Sequence, residues 1–167
     1  MRRILLLVLL TGLGFQCQAR EPPSLAVLDF ELVDDQGTAG ADEFRRLAQA
    51  STQLREELAQ AGLYQIVDLA PAAEIIAAKR NSVAYLYTCN DCAEAIGGAL
   101  GVDRVMFAWV QKVSNLILNI NVEQRNLRSG TIELVTSVDV RGNTDQSWQR
   151  GVRYLVRRVK ERINDRR

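Results

Sequence analysis

Between Asp103 and Val140 the chain repeats one pattern three times, and this repetition restricts the fold more than any other stretch. Val105, Phe107 and Trp109 alternate with Met106, Ala108 and Val110. A strand here is apolar on both faces, as one in the middle of a sheet must be. After the turn residues Ser114-Asn115, the apolar Leu116, Leu118, Ile120 and Val122 alternate with Asn119, Asn121 and Glu123, giving one dry face and one wet face. After a second turn at Asn126 to Gly130, Ile132, Leu134, Thr136, Val138 and Val140 repeat the alternation. Three period-two runs joined by two short turns predict an antiparallel meander. Its dry face needs a cover, and the end of the chain supplies one. From Asp145 to Ile163, the residues Trp148, Val152, Leu155, Val156, Val159 and Ile163 form the apolar stripe of a helix.

The first half alternates between strand and helix signals. Leu25 to Phe30 is a short apolar run ending in charge, which reads as a buried strand, and Glu31 to Gly40 reads as a polar loop. Asp42 opens a helix whose inner face is predicted to carry Phe44, Leu47, Ala48, Ser51, Leu54 and Leu58, with Gly62 at its end. Leu63 to Asp68 reads as a second strand, and Pro71 stands where a second helix begins, over Ala72 to Arg80. Asn81 to Thr88 has no decisive period, and a short third helix runs from Ala93 to Leu100, stopped by Gly101. The predicted fold is α/β (α+β): an open mixed sheet of about five strands in the order β-α-β-α-α-β-β-β-α, with helices packed on it.

Residues 1–19 carry a different message. Met1-Arg2-Arg3 is cationic, Ile4 to Leu10 is unbroken apolar chain, and Cys17-Gln18-Ala19 places small residues where a signal peptidase reads them. The expectation is an export signal cleaved near Ala19, leaving residues 20–167 as one globular domain in the periplasm. The alternatives are an uncleaved anchor and lipid attachment at Cys17. The apolar run is short for an anchor, and Gln16 stands where lipoprotein signals place a small residue.

Composition removes whole classes of chemistry. The chain contains no histidine, so neither Ser-His-Asp nor Cys-His catalysis can be built from it, nor the zinc sets that need imidazole. No glycine-rich phosphate loop opens a helix. The charge is close to balanced overall but unevenly placed. Residues 20–140 hold ten basic and seventeen acidic side chains, whereas residues 141–167 hold nine basic and three acidic. An acidic body thus ends in a basic helix.

Three segments carry a resemblance. Leu25 to Phe30, Ala61 to Asp68 and Leu100 to Met106 resemble the first strand, the helix-to-second-strand passage and the glycine turn before the central strand of a group of envelope domains. These are the TolB amino-terminal domain, the curli secretion protein CsgG and the lipoprotein activators of penicillin-binding proteins. The whole pattern also resembles a group of short exported bacterial proteins of unknown function. The resemblance implies a non-enzymatic envelope module that holds partner proteins, with no cofactor. It does not supply a partner, and the chain departs from those families by its cysteine pair.

Two features are candidate sites. Cys89 and Cys92 fit a structural disulfide bracing the third helix, a redox-active pair at a helix start, or half of a metal site lacking its other ligands. Asp91 between them disfavours a thiolate, and Ala93 stands where c-type haem attachment needs histidine. The second feature is the last helix, where Arg150, Arg153, Arg157 and Lys160 recur at three- and four-residue steps opposite the apolar stripe. This face suits an acidic protein or anionic lipid headgroups; it equally suits a solvated helix whose cations complement its own C-terminal end. Nucleic acid is excluded as a partner by export and by the lack of interleaved aromatics. Asp29, Glu31, Asp34 and Asp35 crowd the loop after the first strand. Paired carboxylates there fit a cation, acid–base work or a small ligand, but the spacing does not match a calcium loop and favours a plain acidic loop. Trp109 and Trp148 read as core.

Overall fold

A computed structural model describes residues 21–166; the export-signal reading of residues 1–19, with Cys17, falls outside them. In chain order the elements are β1 (Ser24–Val27), β2 (Glu31–Val33), α1 (Ala41–Gln60), β3 (Gln65–Ile66), α2 (Ala73–Ser82), α3 (Cys92–Leu100), β4 (Arg104–Lys112), β5 (Ile117–Asn126), β6 (Thr131–Arg141) and α4 (Asp145–Asn164). The sheet runs β3-β1-β4-β5-β6, with β2 also on β4. The strands β1, β2 and β3 enter in parallel, while β4, β5 and β6 form the antiparallel meander that the alternation predicts.

The sixth strand is the main addition to the expected architecture. β1 pairs with Arg104–Met106 and β2 with Trp109–Gln111, so the two are successive lengths along one edge of β4, broken at Leu28–Phe30. Glu31 to Val33 has too few residues for a period to emerge; only its pairing with the distant β4 makes it a strand.

The α/β layering follows from β4, whose two apolar faces serve two cores. Met106, Ala108 and Val110 face α1 and α4, where they meet Leu54 and Leu58 of α1 and Trp148, Val152 and Leu155 of α4. Val105 and Phe107 face the opposite side, with Ile76 of α2 and Cys92, Ala93 and Ile96 of α3. No residue of β5 or β6 belongs to that second core, and Ile117 and Val135 on this side are about half exposed. Helices therefore cover one face of the sheet fully and the other only as far as β4.

α4 lies close against the meander because position 151 has no side chain. A Cβ on Gly151 would sit 2.6 Å from Val140 Cγ2 and 2.7 Å from Ile120 Cδ1. Thr144 caps the helix by accepting from the Ser147 amide, and Ser147 Oγ accepts from the Thr144 amide in return. Three expectations about burial are corrected. Ala48, expected on the inner face of α1, is exposed, and Ala50 is buried instead. Phe44 is 60% exposed, and Glu43 takes the inner position because a buried lysine faces it. Trp109 is only half-buried, since the second core ends before it, whereas Trp148 lies in the first core as expected.

Candidate functional site

The cations of α4 are exposed because the opposite stripe is buried. Arg150, Arg153, Arg157 and Lys160 all face solvent. Among the described residues, α4 cations form only the Arg158–Glu161 bridge at 3.2 Å, a surface pair of small energy. The structure sets Arg153 and Arg150 in two different grooves. Arg153 borders the groove between α4 and α1, with Glu56 and Glu57 on its far wall. Arg150 borders the groove between α4 and the outer edge of β6. Arg157 lies over the Tyr154 ring at 4.6 Å.

The groove beside β6 has a volume of about 800 Å³. Its floor is Ser137 to Arg141 of β6, and its wall is Arg150, Gly151, Tyr154 and Arg158 of α4. Tyr154 is 42% exposed. The sequence pattern points to Arg150 but misses Tyr154, an aromatic among the arginines, and it cannot say that the helix face abuts a sheet edge. At its N-terminal end α4 is tied to α1 by Asp145, which accepts from Arg45 and from Arg46 Nε at 2.7 Å. Those two guanidiniums, Arg45 first, hold the Asp145 carboxyl down to about 2.

Cys89 and Cys92 are joined in a disulfide, with Cα atoms 5.5 Å apart. Cys92 is fully buried and Cys89 nearly so. Bonded to each other, neither sulfur is a thiolate that could ligate a metal. The pair closes the segment that crosses the back of β4. Arg125 Nη1 donates to the Cys89 carbonyl at 2.8 Å and Nη2 to the Tyr87 carbonyl at 2.9 Å. Its guanidinium lies 4.9 Å above the Phe107 ring. Tyr87 stacks on Trp109 at 4.2 Å and on Tyr85 at 5.6 Å. The segment from Asn81 to Thr88, without a period in sequence, is thus fixed by contacts from β4 and β5.

Three of the four acidic side chains around the loop are engaged within the fold. Asp34 accepts from the amides of Gln36, Thr38 and Ala39, and Asp29 pairs with Arg55 at 2.6 Å. Both Glu31 oxygens accept from the Leu86 amide, at 3.1 and 2.9 Å, and burial is the leading cause that raises its pKa. A second cleft of about 990 Å³, at the end of the sheet beside Tyr64, holds the Arg104–Glu133 pair at 2.7 Å and the buried Gln124.

A mixed sheet with a two-helix layer on one face and a partial layer on the other defines an α/β domain whose fold is shared with domains of LpoB and TolB. The chain belongs to the DUF3280 family, described as "Protein of unknown function (DUF2380)", whose model matches residues 23–159. No curated protein matches the chain in sequence. Among solved structures, it is similar to the hypothetical protein CT253 from Chlamydia trachomatis, with a TM-score of 0.56, 13% identity, and coverage of 86% of this chain and 99% of that one. It is similar to the LpoB C-terminal domain from Salmonella enterica, with a TM-score of 0.53, 16% identity, and coverage of 75% and 87%. TolB from Acinetobacter baumannii gives a TM-score of 0.53 at 10% identity, with 86% of this chain matching 29% of that one. At these identities the likeness concerns the fold. No described helix is long and apolar enough to cross a membrane.

Proposed function

We propose that this chain is an exported, non-enzymatic domain of the bacterial envelope that works by binding another envelope or periplasmic protein, with the cationic face of α4 as its docking surface. In this reading residues 1–19 direct export and are removed, and residues 20–167 act in the periplasm. The observation that carries the docking surface is the exposure of Arg150, Arg153, Arg157 and Lys160 without an acidic partner among the described residues, above a body whose own charge is negative. Such a surface steers an acidic partner and fixes its orientation. The fold likeness to LpoB and TolB supports an envelope role. Burial of both sulfurs supports a structural role for the Cys89–Cys92 bond over thiol exchange.

The test reverses Arg150, Arg153 and Arg157 to glutamate and compares capture from envelope extract after crosslinking in living cells. The expected result is loss of a specific crosslinked protein, with the circular dichroism and melting temperature of the variant unchanged. Retention of every crosslinked protein by the triple variant rejects α4 as the docking surface.

A further inference from the structure

We propose that the outer edge of β6 and the α4 wall beside it form a groove for an extended acidic segment of the partner, which joins the sheet as an added strand. The inference deepens the docking reading above and rests on it.

The first observation is the state of the edge. β6 is eleven residues long and, among the described strands, pairs only with β5. The Gly142 amide donates to the Leu116 carbonyl, and from this point hydrogen-bonded and non-bonded pairs alternate along the ladder. With the register Leu118↔Val140, Ile120↔Val138 and Val122↔Thr136, the inward-bonded residues of β6 are Thr136, Val138 and Val140. Val135, Ser137, Asp139 and Arg141 therefore turn both backbone amide and carbonyl away from β5. Natural sheets blunt long edges with proline, charged side chains (lysine above all), a bulge or a covering element. From Val135 to Arg141 β6 has no proline or lysine; its charged residues, Asp139 and Arg141, are of opposite sign, and Asp139 accepts from Asn119 on the neighbouring strand. The register irregularity lies before this stretch, at Gln124/Arg125. No described strand covers its outer side.

The second observation is the wall. Arg150, Tyr154 and Arg158 line the groove in sequence. Their four-residue steps put them about 6 Å apart along the helix, so Arg150 and Arg158 are separated by about 12 Å. Four residues of a strand advance about 13 Å and return to the same face. An extended segment with acidic side chains at i and i+4, and an apolar one at i+2, meets all three. The Arg158–Glu161 bridge is exposed and yields at little cost.

Charge also decides against a second copy as occupant. Antiparallel pairing of β6 with its own copy would bring two α4 helices together on one sheet face, setting arginine against arginine. An acidic partner removes that repulsion, and strand addition supplies the main-chain bonds that give affinity.

The experiment titrates the full chain, purified as the cell processes it, with the acetylated and amidated peptide Thr-Glu-Thr-Leu-Thr-Glu-Thr. Calorimetry and amide hydrogen exchange report on binding. The expected result is binding that weakens as salt rises, with slowed exchange at Val135, Ser137, Asp139 and Arg141. Ser137→Pro removes an outward amide without touching the β5 ladder, and it is expected to weaken binding at least about tenfold, as is Arg150→Glu. Arg153→Glu, on the α1 side, is expected to change it less than about twofold. N-methylation of alternate peptide amides repeats the edge test without altering the protein. Four results overturn the groove: no binding up to about 1 mM peptide, equal binding of a peptide with lysine for glutamate, indifference to both backbone blocks, or a β6-mediated dimer at sedimentation equilibrium. A crosslinked partner that depends on α4 but leaves β6 exchange unchanged also overturns the groove, while the docking reading survives.

Discussion

Lys112 and Glu43 are the residues whose roles are least readable one at a time. Lys112 ends a strand and Glu43 opens a helix, 69 residues apart, yet their charged atoms meet at 3.0 Å with side chains 1% and 10% exposed. Asn143 joins them through Glu43 Oε1 and accepts from Trp148 Nε1, so the pair ties α1, the end of β4 and the start of α4 together. Removing one partner of a buried pair strands the other charge. Lys112→Met is therefore expected to lower stability by about 3 kcal/mol in urea unfolding. Adding Glu43→Gln to that variant should recover part of the loss, because no uncompensated charge remains. The same pair predicts an acid response. Bonds from Gly40, Lys112 and Asn143 outweigh burial and hold Glu43 at about 2, below its ordinary 4.5. A carboxyl depressed on folding contributes stability that is fully present above about pH 4.5 and is lost as pH falls toward about 2. Glu31, raised mainly by burial, gives the opposite slope, its contribution falling as pH rises through its folded value. The urea midpoint of Glu43→Gln should thus fall less than that of the wild type between pH 4.5 and 2.5. Equal curves would assign the acid response elsewhere.

At the scale of elements, contact distance along the chain separates what is readable from what is not. α4 and the meander announce themselves because their periods are long. The strands of the meander also pair with sequence neighbours, whereas α4, which packs on distant α1 as well as on β6, is legible by its period alone. β2 and the aromatic segment Tyr85–Tyr87 carry no period, since each is held by residues far along the chain: Trp109 for both, and Arg125 for the backbone around Tyr87. Of the candidate sites, spacing alone marked Cys89, Cys92 and the arginines of α4. It could not place Arg153 and Arg150 in different grooves, which depends on how α4 is rotated against α1 and β6. Gly151 sets how closely α4 sits. Alanine is favoured over glycine within a helix by about 1 kcal/mol, but here its methyl would enter the van der Waals space of Val140 and Ile120. Overpacking of this kind costs about 1–3 kcal/mol, so Gly151→Ala should be net destabilising by about 1 kcal/mol; an increase in melting temperature would contradict the close packing. The disulfide closes a loop of only three steps. Replacing both cysteines by serine should lower stability by about 2 kcal/mol on the chain-entropy argument. With both sulfurs buried, the pair should also have a reduction potential below about −300 mV. A potential near about −180 mV, with ready exchange against glutathione, would instead mark a working thiol pair.

On the scale of the whole molecule, the question is whether two cores make one folding unit. Each core has its own helices, α1 and α4 on one face and α2 and α3 on the other. They share β4, whose successive residues alternate between them, so neither core can lose its wall without exposing the other. A chain of this size with a shared central strand should unfold in one cooperative step. The two tryptophans report on opposite sides of that strand. Trp148 is buried among α1, α4 and the sheet and donates to Asn143 at 2.8 Å, while Trp109 stacks on Tyr87 beside α3's side of the sheet. Trp109→Phe leaves a probe of the first face, and Trp148→Phe leaves a probe of the second. Each substitution shifts the midpoint by its own packing cost, so each variant's fluorescence is compared with its own far-ultraviolet circular dichroism in urea. Coincident curves in both variants would establish residues 20–167 as one cooperative domain. If Trp109 fluorescence changes at lower urea than the circular dichroism, the α2–α3 face detaches first. The disulfide and the Arg125 clamp would then be the means by which a weak layer is kept on the sheet.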